Sequence, residues 1–187
     1  MRVDFFMAYI SPNGSTRIIA EELQKQLAGH GHDVTVIDLA DMPGQDALVK
    51  KLEAAVNPCL MIGSPVYRDM AVPPVMAFIE KLPETSNGWT APFVTWGLAC
   101  SGVALWQMGK ALKEKGWRLA GAANVAGPHS MMLLSDKPCG TGHPDKDDTQ
   151  KIRDLADTLS GKLHELDLNI LDYQPADLAL EQKVKLE

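Results

Sequence analysis

An open α/β sheet of parallel strands, covered by helices on both faces, is the fold class that this sequence predicts. Three observations predict it. Short apolar runs recur along the chain without the strict alternation of a half-exposed strand, as buried parallel strands do. Stripes at helical spacing fill the gaps between those runs. The chain has 187 residues, 45% hydrophobic and 22% charged, which suits one globular domain that buries about 70% of its unfolded surface.

The elements follow in order. Arg2 to Ile10 (RVDFFMAYI) reads as the first strand. Ile19, Leu23 and Leu27 then mark a helix that Gly29 and Gly31 stop. Asp33 to Leu39, rich in β-branched residues, is the second strand. Leu48, Leu52 and Val56 at i+4 spacing mark the helix after it. Cys59 to Gly63 is the third strand, followed by a helix on Val75, Phe78, Ile79 and Leu82 after Pro73-Pro74. Pro92 to Gly97 is the fourth, followed by Ala104, Leu105, Met108 and Leu112 before Gly116. Leu119 to Gly127 is the fifth strand. A last stripe runs through Ile152, Leu155, Leu159, Leu163 and Leu166, with Asp147 and Asp148 near its start, where the helix dipole favours negative charge. Right-handed β-α crossovers give an open sheet, and such sheets bind ligands beyond the carboxyl ends of their strands. The expected organisation is a single domain over 1–187, with a core of about 2–166 and a C-terminal extension over 167–187.

Composition narrows the function. Twenty-four acidic residues against 18 basic give a net charge of -6, the opposite of a nucleic-acid binder. No apolar run is long enough to span a membrane. Met1-Arg2-Val3-Asp4 has no basic leader with a cleavage site, and Asp4 would interrupt an apolar signal core, so no signal peptide is expected. Cys59, Cys100 and Cys139 are widely spaced and contain no Cys-x-x-Cys, so no zinc or iron–sulfur site of the usual spacing is encoded, and their odd, low count suits a cytoplasmic protein. His143 with Asp145, Asp147 and Asp148 is read as a solvated helix start, not a metal site.

Three loops carry the chemistry. After the first strand come Ser11, Pro12, Asn13, Gly14, Ser15 and Thr16. Glycine lets the backbone turn sharply, the following helix adds unsatisfied N–H donors, and Ser11, Ser15 and Thr16 add hydroxyls. Such a loop binds a phosphate without a basic side chain. The same residue types also form turns that bind nothing. The loop has neither a Walker lysine nor a G-x-G-x-x-G pattern, so a monophosphate fits better than a dinucleotide. The second loop runs Gly63-Ser64-Pro65-Val66-Tyr67-Arg68 and the third Thr95-Trp96-Gly97-Leu98-Ala99-Cys100-Ser101-Gly102; each combines turn residues with an aromatic. His129 follows the fifth strand, and the long non-periodic stretch Gly127 to Asp148 is expected to border the same pocket.

These residues carry a resemblance. Ser11-x-Asn13-Gly14-Ser15-Thr16 is similar to the Ser/Thr-x-Thr-Gly-x-Thr phosphate loop of flavodoxins, with Asn13 where that family commonly has threonine. Gly63-Ser64-Pro65-Val66-Tyr67 with Pro73-Pro74 and Phe78 resembles their second flavin loop, and Trp96-Gly97 with Ser101-Gly102 the third. Pro128-His129-Ser130 and His143-Pro144-Asp145 resemble flavodoxin-like domains that are sometimes joined to a ferredoxin module. The resemblance implies a flavodoxin-like sheet of five parallel strands in the order 2-1-3-4-5, and FMN as cofactor. Ser11, Asn13, Gly14, Ser15 and Thr16 would hold its phosphate. Pro65, Val66, Tyr67 and Arg68, then Trp96, Gly97, Leu98, Cys100 and Gly102, and His129 would surround its ring. No catalytic side chain is assigned, because the flavin carries the electron chemistry. Arg68 near the ring would raise its potential, while acidic surroundings would lower it.

The function implied is electron transfer with a protein partner, a ferredoxin or a reductase. An FMN-dependent NAD(P)H oxidoreductase acting on a quinone-like small-molecule acceptor is the alternative. A flavin-free interaction domain on the same fold is the reading from another class. A homodimer is left open.

Overall fold

The structure is a computed structural model that describes residues 3–132 and 135–161. Its core is a sheet of strands β1 (Asp4–Tyr9), β2 (Val34–Asp38), β3 (Pro58–Tyr67), β4 (Met70–Ala71), β5 (Trp89–Trp96), β6 (Arg118–Leu119) and β7 (Ala123–Ala126). The helices are α1 (Ser15–Gly29), α2 (Met42–Ala54), α3 (Pro73–Lys81), α4 (Ala104–Glu114) and α5 (Lys146–Gly161). Leu163, Leu166 and the expected 167–187 extension lie outside the described residues.

The sheet runs β2-β1-β3-β5-β6, with β7 also paired to β5. All of these pairings are parallel. Counting β6 and β7 as one edge position, this is the expected five-strand order. β1 leads across to β2 on one side, while β3 pairs with β1 on the other, so the topological switch point lies between β1 and β3.

Period-two alternation sorts each buried strand between two cores. Phe5, Met7 and Tyr9 of β1 face α1 and α5, packing with Ile19, Leu23, Leu27, Ile152, Leu155 and Leu159. Phe6 and Ala8 face α2, α3 and α4, packing with Leu48, Leu52, Val75, Phe78, Ile79, Met108 and Leu112. That is why these strands read as continuous apolar runs, while the helices read as one-sided stripes. Each large side chain fully buried this way stabilises the fold by about 1.5–3 kcal/mol.

Three differences from the sequence reading matter. β3 continues past Gly63 to Tyr67 and turns back through Arg68 and Asp69 into β4. Both turn residues have positive φ, 48° and 66°, so this is a two-residue hairpin of the type I′ class without a glycine. The fifth strand is split into β6 and β7. At the split a Cβ on Gly121 would fall 2.6 Å from Leu155 Cδ1, so α5 packs directly on the interruption. Finally, α2 ends at Ala54, and Val56, expected on its apolar stripe, is 73% exposed.

Candidate functional site

The carboxyl ends of β1, β3 and β5 open onto one cleft of about 1180 Å³. Asn13 and Ser15 line it from the first loop, Pro65, Val66, Tyr67 and Arg68 from the hairpin, Trp96, Gly97 and Cys100 from the third loop, and His129 from beyond β7. Residues predicted from four separate stretches of sequence are therefore brought together. Ser11, Gly14, Thr16, Leu98 and Gly102, also predicted, do not contribute to its lining.

The first loop ends at Gly14, whose φ of 90° precedes α1. The amides at the start of that helix have no carbonyl one turn behind them. The Ser15 amide donates to Asn13 Oδ1 at 3.2 Å, and the Arg17 amide donates to Ser11 Oγ at 2.9 Å. The Thr16 amide between them has no partner among the described residues. Three successive donors are thus held by nothing stronger than two neutral side-chain oxygens on rotatable bonds. A Cβ on Gly14 would meet only Arg17 Nη2, at 4.0 Å, so the loop is open above that glycine and has a guanidinium beside it. Arg17 escaped the sequence reading; its signal was its place in the first turn after Gly14. Thr16 differs from expectation as well. It is fully buried, and its hydroxyl lies 2.8 Å from that of Thr95 on β5.

The second and third loops are fastened to each other. The Val103 amide donates to Asp69 O at 2.7 Å, and the Ala71 amide donates to Gln107 Oε1 at 3.0 Å. Gly102 makes this possible: its φ is 58°, and a Cβ there would fall 2.1 Å from the Asp69 carbonyl oxygen. Ser64, buried beneath, donates to Pro65 O and accepts the Val72 amide. The hairpin is therefore held from below and from α4. Gln107 gave no signal in the sequence, because an amide on a helical stripe reads as surface.

Arg68, Asp69 and Leu98 are the non-glycine residues with positive φ among those described; Arg68 and Asp69 line the cleft, and Leu98 belongs to the third loop beside it. A leucine in this region costs about 1–2 kcal/mol, whereas asparagine tolerates it. Leu98 is 41% exposed, so little burial is lost on replacing it. Leu98→Asn is expected to raise unfolding free energy by about 0.5–1 kcal/mol, read as a higher denaturant midpoint at unchanged slope.

Across the cleft, His129 packs on Gly97, where a Cβ would meet the imidazole at 2.6 Å. The His129 amide donates to Cys139 O at 2.9 Å. His129 Nδ1 and Trp96 Nε1 are buried atoms with no hydrogen-bond partner among the described residues, and both residues line the cleft. Cys100 is exposed and accepts the Gly102 amide through Sγ. Burial pushes the Cys59 thiol up, which suits a strand-core residue.

The loop after β7 is anchored at the start of α5. Asp148 is buried, not solvated as the sequence suggested. Its Oδ1 accepts the Ala126 amide and its Oδ2 accepts the Asp145 amide, with His143 Nδ1 at 2.5 Å from Oδ2. Burial alone would raise the Asp148 pKa, but the bonds from His143, Asp145 and Ala126 outweigh it and hold the carboxyl below its usual range. The same hydrogen bond raises His143 above the ordinary histidine value, helped by the charges of Asp148 and Asp145 against burial and Lys151. His143, Asp145 and Asp148 bring ligand-type atoms within 4.8 Å of one another. The two carboxylates, however, already serve as acceptors for the helix-start amides.

Comparison with known proteins places this geometry. The sequence model described as "Flavodoxin domain" matches residues 6–132. No curated protein matches the chain. A flavodoxin from the domain Archaea superposes with a TM-score of 0.63 at 18% identity, covering 87% of this chain and 99% of that one. The rubredoxin oxygen:oxidoreductase of Desulfovibrio gigas superposes at 0.67 with 17% identity, over 86% of this chain but 36% of its own. An NADH:FMN oxidoreductase in its apo form superposes at 0.60 with 16% identity, over 83% and 88%. At these identities the structures speak for the fold; the sequence model, spanning well over half of the 187 residues, shows that the chain belongs to the flavodoxin domain family.

Proposed function

We propose that this chain is an FMN-binding redox protein that exchanges electrons with a protein partner, a ferredoxin or a reductase. The observation that supports it best is the run of weakly held amides at the start of α1, opening on the same cleft as the hairpin and the third loop. The phosphate would replace Asn13 Oδ1 and Ser11 Oγ as acceptor of the Ser15 and Arg17 amides and would add the Thr16 amide. The helix dipole favours that charge, and Arg17 beside Gly14 adds to it. The ring would lie among Pro65, Val66, Tyr67 and Arg68 on one side and Trp96, Gly97, Cys100 and His129 on the other, with Leu98 and Gly102 shaping the third loop. Trp96 Nε1 and His129 Nδ1 there have no hydrogen-bond partner among the described residues. A flavin, when bound, supplies one- and two-electron transfer. The protein's part is to exclude water with Val66 and Met70 and to set local charge through Arg68. Cys59, Cys100 and Cys139 form no disulfide among the described residues, which suits a reducing compartment such as the cytoplasm.

The test is a fluorescence titration of FMN with the purified protein. Saturable quenching is expected. Ser15 lines the cleft at the first helical position, where a carboxylate is welcome to the helix but repels a phosphate. Ser15→Asp is therefore expected to keep the thermal transition and weaken FMN about 10-fold or more. Absence of quenching by the wild type would leave the flavin-free interaction domain.

One feature favours the second reading, an NAD(P)H oxidoreductase for a quinone-like acceptor. The cleft continues past Met70 along Pro73, Met76, Ala77 and Glu80 of α3, and its volume of about 1180 Å³ exceeds the roughly 300–1,000 Å³ of a site for one ligand. No helix among the described residues is long and apolar enough to cross a membrane. Bleaching of the loaded protein by NAD(P)H without any reductase would select this reading.

A further inference from the structure

The hydroxyls of Thr16 and Thr95 lie 2.8 Å apart, joining residues 79 positions apart in sequence. Thr16 is fully buried and Thr95 is 4% exposed. Of the two, Thr95 lines the cleft. Its backbone is fixed from both sides, in register with Pro65 on β3 and Val125 on β7. It stands on the sheet, outside the loop that the sequence marks as the phosphate binder.

Each hydroxyl carries one proton and accepts through two lone pairs. The pair therefore holds two protons and uses one in its mutual bond. The other has no acceptor among the described residues. A buried hydroxyl proton with no acceptor is unfavourable, and Thr95 is the member of the pair with access to the cleft. The neighbouring Thr16 amide is a second donor at the same place with no partner among the described residues.

From this, and resting on the FMN reading above, we propose that the Thr16–Thr95 pair forms the floor of the phosphate site, with Thr95 as a residue that selects a phosphorylated flavin over riboflavin. The spare proton of the pair donates to the phosphate, and the mutual bond holds it in that direction. A hydrogen bond to an anion is about twice as strong as a neutral one, and the bond behind it polarises it further. Thr16 acts through Thr95: buried on α1 and hydrogen-bonded to it, Thr16 fixes the rotor that meets the anion.

The experiment measures dissociation constants for FMN and for riboflavin by fluorescence quenching, on wild type, Thr95→Val and Thr95→Ser. Valine keeps the shape and removes the proton; serine restores the proton in case valine perturbs packing. The expected result is an approximately 10-fold weaker FMN complex for Thr95→Val, riboflavin within about 2-fold of wild type, and FMN affinity largely recovered in Thr95→Ser. Equal losses for both ligands, or an FMN affinity unchanged or tighter in Thr95→Val, would overturn the proposal alone. A wild type that binds neither flavin would overturn the FMN reading and this proposal with it.

Discussion

Gly102→Ala is expected to lower unfolding free energy by about 3 kcal/mol and to weaken FMN at least 10-fold. Two penalties combine at this position. Alanine at a φ of 58° costs about 1–2 kcal/mol. Its Cβ would also fall 2.1 Å from Asp69 O and 2.3 Å from Asp69 Cα, both backbone atoms that no rotamer change can move. Overpacking of this kind costs about 1–3 kcal/mol. Relief requires the third loop to part from the hairpin, which breaks the Val103–Asp69 bond and widens the cleft between them. Gly29→Ala is the control. Gly29 is the last residue of α1 and a Cβ there meets nothing within 4 Å, so about 0.5 kcal/mol of gain is expected from helix propensity. Urea denaturation with matched flavin titrations checks both variants; equal stability of the two would refute the packing argument.

Asp148→Ala is the second large effect, an expected loss of about 3 kcal/mol. The buried carboxylate accepts the Ala126 and Asp145 amides and bonds His143. Its removal leaves those groups without an acceptor, at about 1–3 kcal/mol for each one that water does not reach. The pair also sets a pH window. The His143 pKa is raised by folding, so its contribution is complete below the unfolded value of about 6.5 and is lost as pH rises through the folded value. The Asp148 pKa is lowered, so its contribution is complete above about 3.9 and is lost as pH falls through the folded value. Stability from this pair therefore holds between roughly pH 4 and 6.5 and declines on either side. Wild type should lose more stability than His143→Gln between pH 6 and 8.5. Parallel curves over that range would show that His143 does not report on folding.

The parallel order of the sheet was legible because strands buried on both faces leave contiguous apolar runs, as Phe5 to Tyr9 and Cys59 to Ile62 do. The first loop was legible because few side chains serve a turn that feeds a helix. What escaped was tertiary. The hairpin at Arg68 and Asp69 has no glycine to announce it; contacts from Val103 and Gln107 hold it in a conformation those residues disfavour alone. Thr16 looked like a loop hydroxyl aimed at a ligand, and only the β5 register brings Thr95 beneath it. Asp148 sits in an acidic run that reads as solvated; its burial depends on where β7 ends.

The interrupted outer edge of the sheet has a consequence for how copies of this chain meet. β6 contributes two residues and β7 four, with a three-residue gap between them at which α5 packs. An incoming strand from another molecule would find a few amides, then a break, then a few more, and could not zip along it. Edges that short are a known defence against fibrous self-association. Filling the gap to make one unbroken outer strand would remove that defence, and aggregation on heating is where its loss would first be felt.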